Sequence, residues 1–131
     1  MIVGSRREIR SVGYNSFPRG INDLVESRQE RPQKYFYFEH AERNAIYNAT
    51  LTETSLNGCT CYLPFHPCAD CARGLIQVGV VEVVCRSDVI PERSRDSCLA
   101  AVAMFSEAGV KVRLPNSNED LVLKIGDEWG N

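Results

Sequence analysis

Hydrophobic and polar positions along the chain switch between two periods, and each switch marks an element. Residues 9–14 read as a strand, with residues 1–3 as its hairpin partner around Gly4 and Ser5. Residues 15–20, Asn-Ser-Phe-Pro-Arg-Gly, are rich in turn formers and predict a loop. The polar segment 21–33 has room for at most one helical turn, and the aromatic run Tyr35-Phe36-Tyr37-Phe38, read as a strand, leads into Glu39 and His40. From 40 to about 51 the period becomes helical, with Ala41, Ala45 and Ala49 at i, i+4, i+8 and Ile46 beside them. Such small residues allow close packing. Residues 58–63 return to alternation, Cys59, Cys61 and Leu63 against Thr60 and Tyr62, and Pro64 ends that strand.

The second half repeats a strand and helix rhythm. Residues 68–78 predict a helix, preceded by Pro67 and capped by Gly79. Residues 80–85, Val-Val-Glu-Val-Val-Cys, are mostly apolar and predict a central strand, followed by a turn through Pro91. Cys98, Ala101, Val102, Phe105 and Ala108 recur at helical spacing over 94–108, with Gly109 after them, and 110–114 is the next strand. A strand, helix and strand of this length form a crossover unit, so 80–85 and 110–114 are expected to be parallel neighbours. The tail holds one apolar alternation, 121–125, suited to an edge strand or to packing on a partner. The sum is an α/β fold: a mixed sheet of about five strands, its last two parallel, with helices on both faces in three layers.

Length and composition narrow the function more than the fold. A chain of 131 residues fits one domain spanning 1–131, large enough to bury a core without disulfides. Hydrophobic content of 44%, charged content of 24% and a net charge of -2 are ordinary for a soluble protein. A pI near 5.7 provides no basic footprint for long nucleic acid, so small substrates come first. No apolar run approaches the roughly 18 residues of a membrane span and no signal-peptide region is evident, which makes the cytoplasm the expected location. In that compartment the six cysteines are expected to be reduced thiols.

Three residues between 40 and 71 can hold a soft metal. Cys68 and Cys71, three apart at a helix start, project from the same turn, and His40 is a third donor. Three protein ligands leave the fourth position for water, the arrangement of a catalytic zinc. Glu42 lies two residues from His40, so both can face one site only if the helix begins at or near His40. Two helix amino termini would then aim at the metal and favour thiolate at Cys68 and Cys71.

His40-Ala41-Glu42 with Pro67-Cys68-x-x-Cys71 resembles the pattern of zinc nucleobase deaminases. Residues 39–48, 65–72 and 75–79 resemble the deoxycytidylate (dCMP) deaminases within that superfamily, and 13–20 is similar to the amino-terminal loop of that branch. The likeness covers roughly residues 9–114, and the amino-terminal helix usual in the family is not found ahead of the loop. It implies a cytidine-deaminase-like fold and hydrolysis of dCMP to dUMP and ammonia. Zinc on His40, Cys68 and Cys71 would activate a water, and Glu42 would act as acid and base. The resemblance suggests Asn15 as a ligand of the sugar hydroxyl; His66 departs from the family pattern, which has a phenylalanine before Pro-Cys, and its place beside Pro67 makes it a candidate substrate contact, while Arg19, Arg43, Lys34 or Arg73 could bind the phosphate. It further implies a homo-oligomer, a hexamer in the family, with dCTP and dTTP as effectors at a second site that includes 15–20, and it allows Mg2+ to accompany such a nucleotide.

Plainer readings stand beside these. Cys68 and Cys71 alone could be a redox pair, and Cys59 and Cys61 could complete a four-thiolate zinc site, although two residues on one strand face read more simply as core. Cys85 and Cys98 read as core. The same zinc site could serve free cytosine, a cytidine nucleoside, guanine or a tRNA adenosine, or could stabilise a binding module without turnover.

Overall fold

The computed structural model of the protein describes residues 1–127. Strand β1 (Ile2–Val3) turns back into β2 (Ile9–Ser11), the Gly4 amide donating to the Glu8 carbonyl at 2.9 Å. After the loop and a 3-10 turn at Glu26–Gln29 come the short helix α1 (Lys34–Tyr37), then α2 (Ala41–Leu51), β3 (Thr60–Leu63), α3 (Ala69–Gln77) and β4 (Glu82–Cys85). β5 (Val89–Pro91), α4 (Arg95–Ala108), β6 (Lys111–Arg113) and β7 (Lys124–Gly126) complete the chain. The main sheet has the order β2-β1-β3-β4-β6, antiparallel around β1 and parallel across β3, β4 and β6. This is the expected mixed five-stranded α/β arrangement. The single-domain reading runs to residue 131, the last residues of which lie outside the described ones.

Both crossovers, β3 to β4 through α3 and β4 to β6 through α4, run in one direction, so right-handedness puts both helices on one face of the sheet. The core confirms it: Ile2, Cys61, Leu63, Val83 and Cys85 of the sheet meet Ala45 and Ala49 of α2, Ala72 and Leu75 of α3, and Ala101 and Phe105 of α4 in one buried cluster. The opposite face, expected to carry helices as well, holds none of these three. There Tyr62, Val84 and Arg113 stand in register, and Arg113 forks onto Glu82 through Nε at 3.1 Å and its terminal nitrogen at 3.2 Å.

Several expectations are refined by packing. The first long strand stops at Ser11 because residues 12–16 leave the sheet and lie along α2. There Gly13 approaches so closely that a Cβ would stand 2.3 Å from the Ala41 carbonyl oxygen and 2.4 Å from the Ala45 nitrogen, a place only glycine fills. The run 35–38 is a helical turn rather than a strand, and Tyr35 and Phe36 are 64% and 81% exposed, so they are not core. The turn through Pro91 contains β5, and the 121–125 alternation ends in β7, which pairs in parallel with β5 within the same chain. The helix caps Gly79 and Gly109, at φ +86 and +74, fall where the sequence places them, while β4 begins at Glu82, two residues later than the strand expected over 80–85.

Candidate metal centre and active site

Residues 64–68 carry the chain from the carboxyl end of β3 to the start of α3, the end of a parallel sheet where ligands of α/β folds bind. α2 lies beside α3 with its own start at the same place. His40 and Cys68 are the N-cap residues of these two helices, both extended, at φ -73, ψ 150 and φ -74, ψ 172. An extended N-cap lets His40 turn toward the same point as Glu42, which a continuous helix would not permit.

His40 Nδ1 lies 3.5 Å from Cys68 Sγ and 3.4 Å from Cys71 Sγ. Tetrahedral zinc with bonds of about 2.0–2.1 Å to nitrogen and 2.3 Å to sulfur requires N···S edges of about 3.5 Å, so this donor set fits zinc. Among the described residues this trio is the one cluster of histidine, cysteine and acidic side chains close enough to share an ion. Glu42 stays outside the trio, its Oε2 3.7 Å from Cys71 Sγ. Cys71 is buried, Cys68 half-buried and His40 exposed, so the centre opens toward solvent on the histidine side.

The Cys68 thiol is pulled down to about 4, first by the hydrogen bond from the Cys71 thiol and then by His40 and the Cys71 amide, against the effect of burial. That same bond, with burial and the Glu42 charge, pushes Cys71 up, and the bond to Cys68 raises His40. A thiol, a thiolate and an imidazole thus hold protons between them, which a metal would displace on binding. The other cysteines differ. Burial pushes Cys61 and Cys85 to about 12 and Cys98 to about 11, and Cys59 upward, and among the described residues neither Cys59 nor Cys61 joins the Cys68 and Cys71 group, so both are core.

An ion network ties the two helix starts together. Arg43 Nε meets Glu39 Oε1 at 2.5 Å, one of its terminal nitrogens meets Asp70 Oδ2 at 3.3 Å, and Asp70 also pairs with Arg73. The Arg43 and Glu39 side chains are each only 22% exposed. Arg43→Gln is expected to lower stability by about 1–3 kcal/mol, since Glu39 loses a charged hydrogen bond while partly buried. Denaturant midpoints check this, and Arg43→Lys should restore less than half because an ammonium cannot reproduce the fork.

The remaining candidates separate. Asn15, an exposed residue, accepts the Ala41 amide at Oδ1 at 2.8 Å. Arg19 bonds Asn48 and lines an open cleft of about 430 Å3 with Tyr14, Phe17, Asp23 and Tyr47, with Glu39 shared between the cleft and the ion network. Lys34 Nζ sits 4.9 Å from the Phe38 ring centroid. His66 is 3% exposed, its ring edge-on to Phe105 at 6.0 Å. Burial lowers its pKa, and Nδ1 donates to the Pro67 carbonyl at 2.8 Å. That setting makes it a core residue under the metal loop, and its buried Nε2 finds no hydrogen-bond partner among the described residues.

The sequence does not single out Ser11, Asn44, Asn48 or Ser97, yet each anchors the site. Ser11 Oγ donates to the Ala45 carbonyl at 2.6 Å, Asn44 Nδ2 to Tyr14 O at 2.8 Å, and Asn48 Nδ2 to Val12 O at 2.8 Å. Residues 16 and 39 form a backbone bridge at 3.1 and 2.8 Å. The i, i+4 spacing of Asn44 and Asn48 is the one visible signal of this seam.

This centre brings two helix starts on a mixed α/β sheet to a His-Cys-Cys trio that could hold a zinc ion, with the Glu42 carboxylate beside it. A family model described as the cytidine and deoxycytidylate deaminase zinc-binding region matches residues 1–87, and the chain belongs to that family. Human deoxycytidylate deaminase is 38% identical over 117 residues, covering 86% of this chain and 64% of that protein. An uncharacterized deaminase of Aliivibrio fischeri is 35% identical over 113 residues, covering 85% of this chain and 74% of that protein. The chain thus spans somewhat under two thirds of the length of the human relative. The crystal structure of the dCMP deaminase from the cyanophage S-TIM5 in complex with dCMP and dUMP shares the fold. Its TM-score is 0.67 at 24% identity, over 87% of this chain and 77% of that one. No helix among the described residues is long and apolar enough to cross a membrane.

Proposed function

We propose that the protein is a zinc-dependent deaminase that hydrolyses dCMP to dUMP and ammonia. The observation that carries this is the trio of His40, Cys68 and Cys71 with 3.4–3.5 Å edges and the Glu42 carboxylate 3.7 Å from one sulfur. Similarity to deoxycytidylate deaminases supports the choice of nucleotide.

His40, Cys68 and Cys71 would hold a zinc ion, which when bound would supply Lewis-acid activation of a water. Glu42 accepts the proton of that water as its oxygen attacks C4 of the pyrimidine, and passes a proton to N3. Glu42 then takes the remaining proton from the new C4 hydroxyl and delivers it to the exocyclic amine; the C4 carbonyl forms as the C4–N bond breaks, and ammonia leaves. Water and dCMP are consumed, and dUMP and ammonia are formed. Asn15 meets the sugar hydroxyl, and because Arg43 and Arg73 are paired with Glu39 and Asp70, the phosphate falls to Arg19 or Lys34. Arg43 serves the helix starts and His66 the core beneath them.

We assign an oligomer, with the cleft lined by Tyr14, Arg19 and Tyr47 as the effector site for dCTP and dTTP and Mg2+ as counter-ion, so that Arg19 meets either the substrate phosphate or that of the effector; the volume of the cleft suits a nucleotide. Six free cysteines favour a reducing compartment, the cytoplasm. The test is ammonia release from dCMP, CMP, deoxycytidine and adenine nucleotides, with and without dCTP and dTTP, on protein of measured zinc content. Turnover highest on dCMP is expected. Zinc-loaded protein that leaves dCMP unchanged under all conditions overturns the reading.

A further inference from the structure

A helix begins with four backbone amides that lack partners, and a side chain at the N-cap usually accepts one of them. In α2 and α3 that position is taken by a metal ligand, His40 or Cys68, and neither makes a side-chain capping hydrogen bond of ordinary geometry. Each helix instead receives an acceptor from a distant element. The Ala41 amide donates to Asn15 Oδ1 at 2.8 Å, and the Ala69 amide donates to Ser97 Oγ at 2.9 Å. The relation is the same in both: the first residue after the ligand, bonded to a side chain 26 or 28 residues away in sequence.

We propose that Asn15 and Ser97 are positioning residues that cap the two metal-bearing helices in place of the ligands themselves. The inference rests on the zinc reading of the trio but not on the choice of substrate. Its physical basis is a conflict of roles. His40 and Cys68 must direct their side chains at a shared point, so they cannot also turn back onto their own first turns. A remote acceptor resolves this and fixes the first peptide of each helix, and with it the direction of the preceding side chain. Ser97 comes from the first turn of α4, which packs along α3, and Asn15 from the segment laid along α2, so each cap is braced by a packed neighbour.

The test is the rate of zinc release from the full-length zinc-loaded protein to an excess of a colorimetric chelator, with denaturant midpoints measured on the same samples. Ser97→Ala is expected to release zinc roughly 2- to 30-fold faster, the factor to which a lost cap of about 0.5–2 kcal/mol converts. Ser97→Thr, which keeps the hydroxyl, should return the rate to near that of the parent. Asn15→Ala should behave like Ser97→Ala, with Asn15→Asp restoring the acceptor. Thr50→Ala removes a hydroxyl bonded to the Ile46 carbonyl at 3.0 Å in the far half of α2, and should leave release unchanged. If Ser97→Ala lowers the midpoint but not the release rate, or if Ser97→Thr and Ser97→Ala release zinc equally fast, the positioning role is overturned. A parent protein that retains zinc yet lacks deaminase activity would count against the proposed reaction alone.

Discussion

Replacing Glu42 by glutamine is expected to slow the proposed deamination by roughly 10²–10⁴-fold, the contribution of a positioned proton carrier, with zinc still bound. The separation of these two effects follows from geometry. Glu42 lies 3.7 Å from Cys71 Sγ but outside the ligand trio, so removing its charge leaves the three donors in place. An amide keeps the size of the side chain while losing the ability to accept and return a proton. Ammonia release and zinc content measured on one preparation check the result. A glutamine variant that retains most of the activity would remove Glu42 from the chemistry.

Cys68→Ser is expected to have the second large effect, on metal and stability together. Cys68 is the ligand whose thiolate is favoured most strongly, and it is also the N-cap of α3. A serine hydroxyl is a poor ligand for zinc, so the variant should purify with little metal. Ligand-linked stability follows RT ln(1 + [L]/Kd), so a parent holding zinc at about 100 times its Kd gains about 2.7 kcal/mol that the variant lacks. Thermal unfolding with and without chelator provides the check: chelator should lower the parent's midpoint and leave the variant's unchanged. A variant that remains zinc-loaded would mean that a fourth donor exists.

Much of this molecule can be read from residue order because its elements are locally consistent. The alanines at 41, 45 and 49 announce a tightly packed helix, and Ala45 and Ala49 are indeed 2% exposed. The metal trio is readable because the spacing of Cys68 and Cys71 is a property of one helical turn. What cannot be read is whatever depends on contacts between distant segments. β5 is three residues long, ends in proline and exists because β7 pairs with it. Tyr35 and Phe36 have strand-like composition, but their run sits between a 3-10 turn and the start of α2 and folds as a helical turn outside both sheets. Arg43 looks like any arginine until Glu39 and Asp70 are found on either side of it. Ser97 is one serine among several, and its role depends on α4 running beside α3.

The seam between residues 11–16 and α2 has a practical consequence for redesign. Five contacts, from Ser11 to the bridge between residues 16 and 39, fasten that loop to the helix bearing His40 and Glu42, and Gly13 touches the helix backbone itself. A loop so fastened is not a separable module. Grafting the 13–20 loop of another deaminase to change its nucleotide preference would therefore require transplanting the outer face of α2, Asn44 and Asn48 included, as a single cassette.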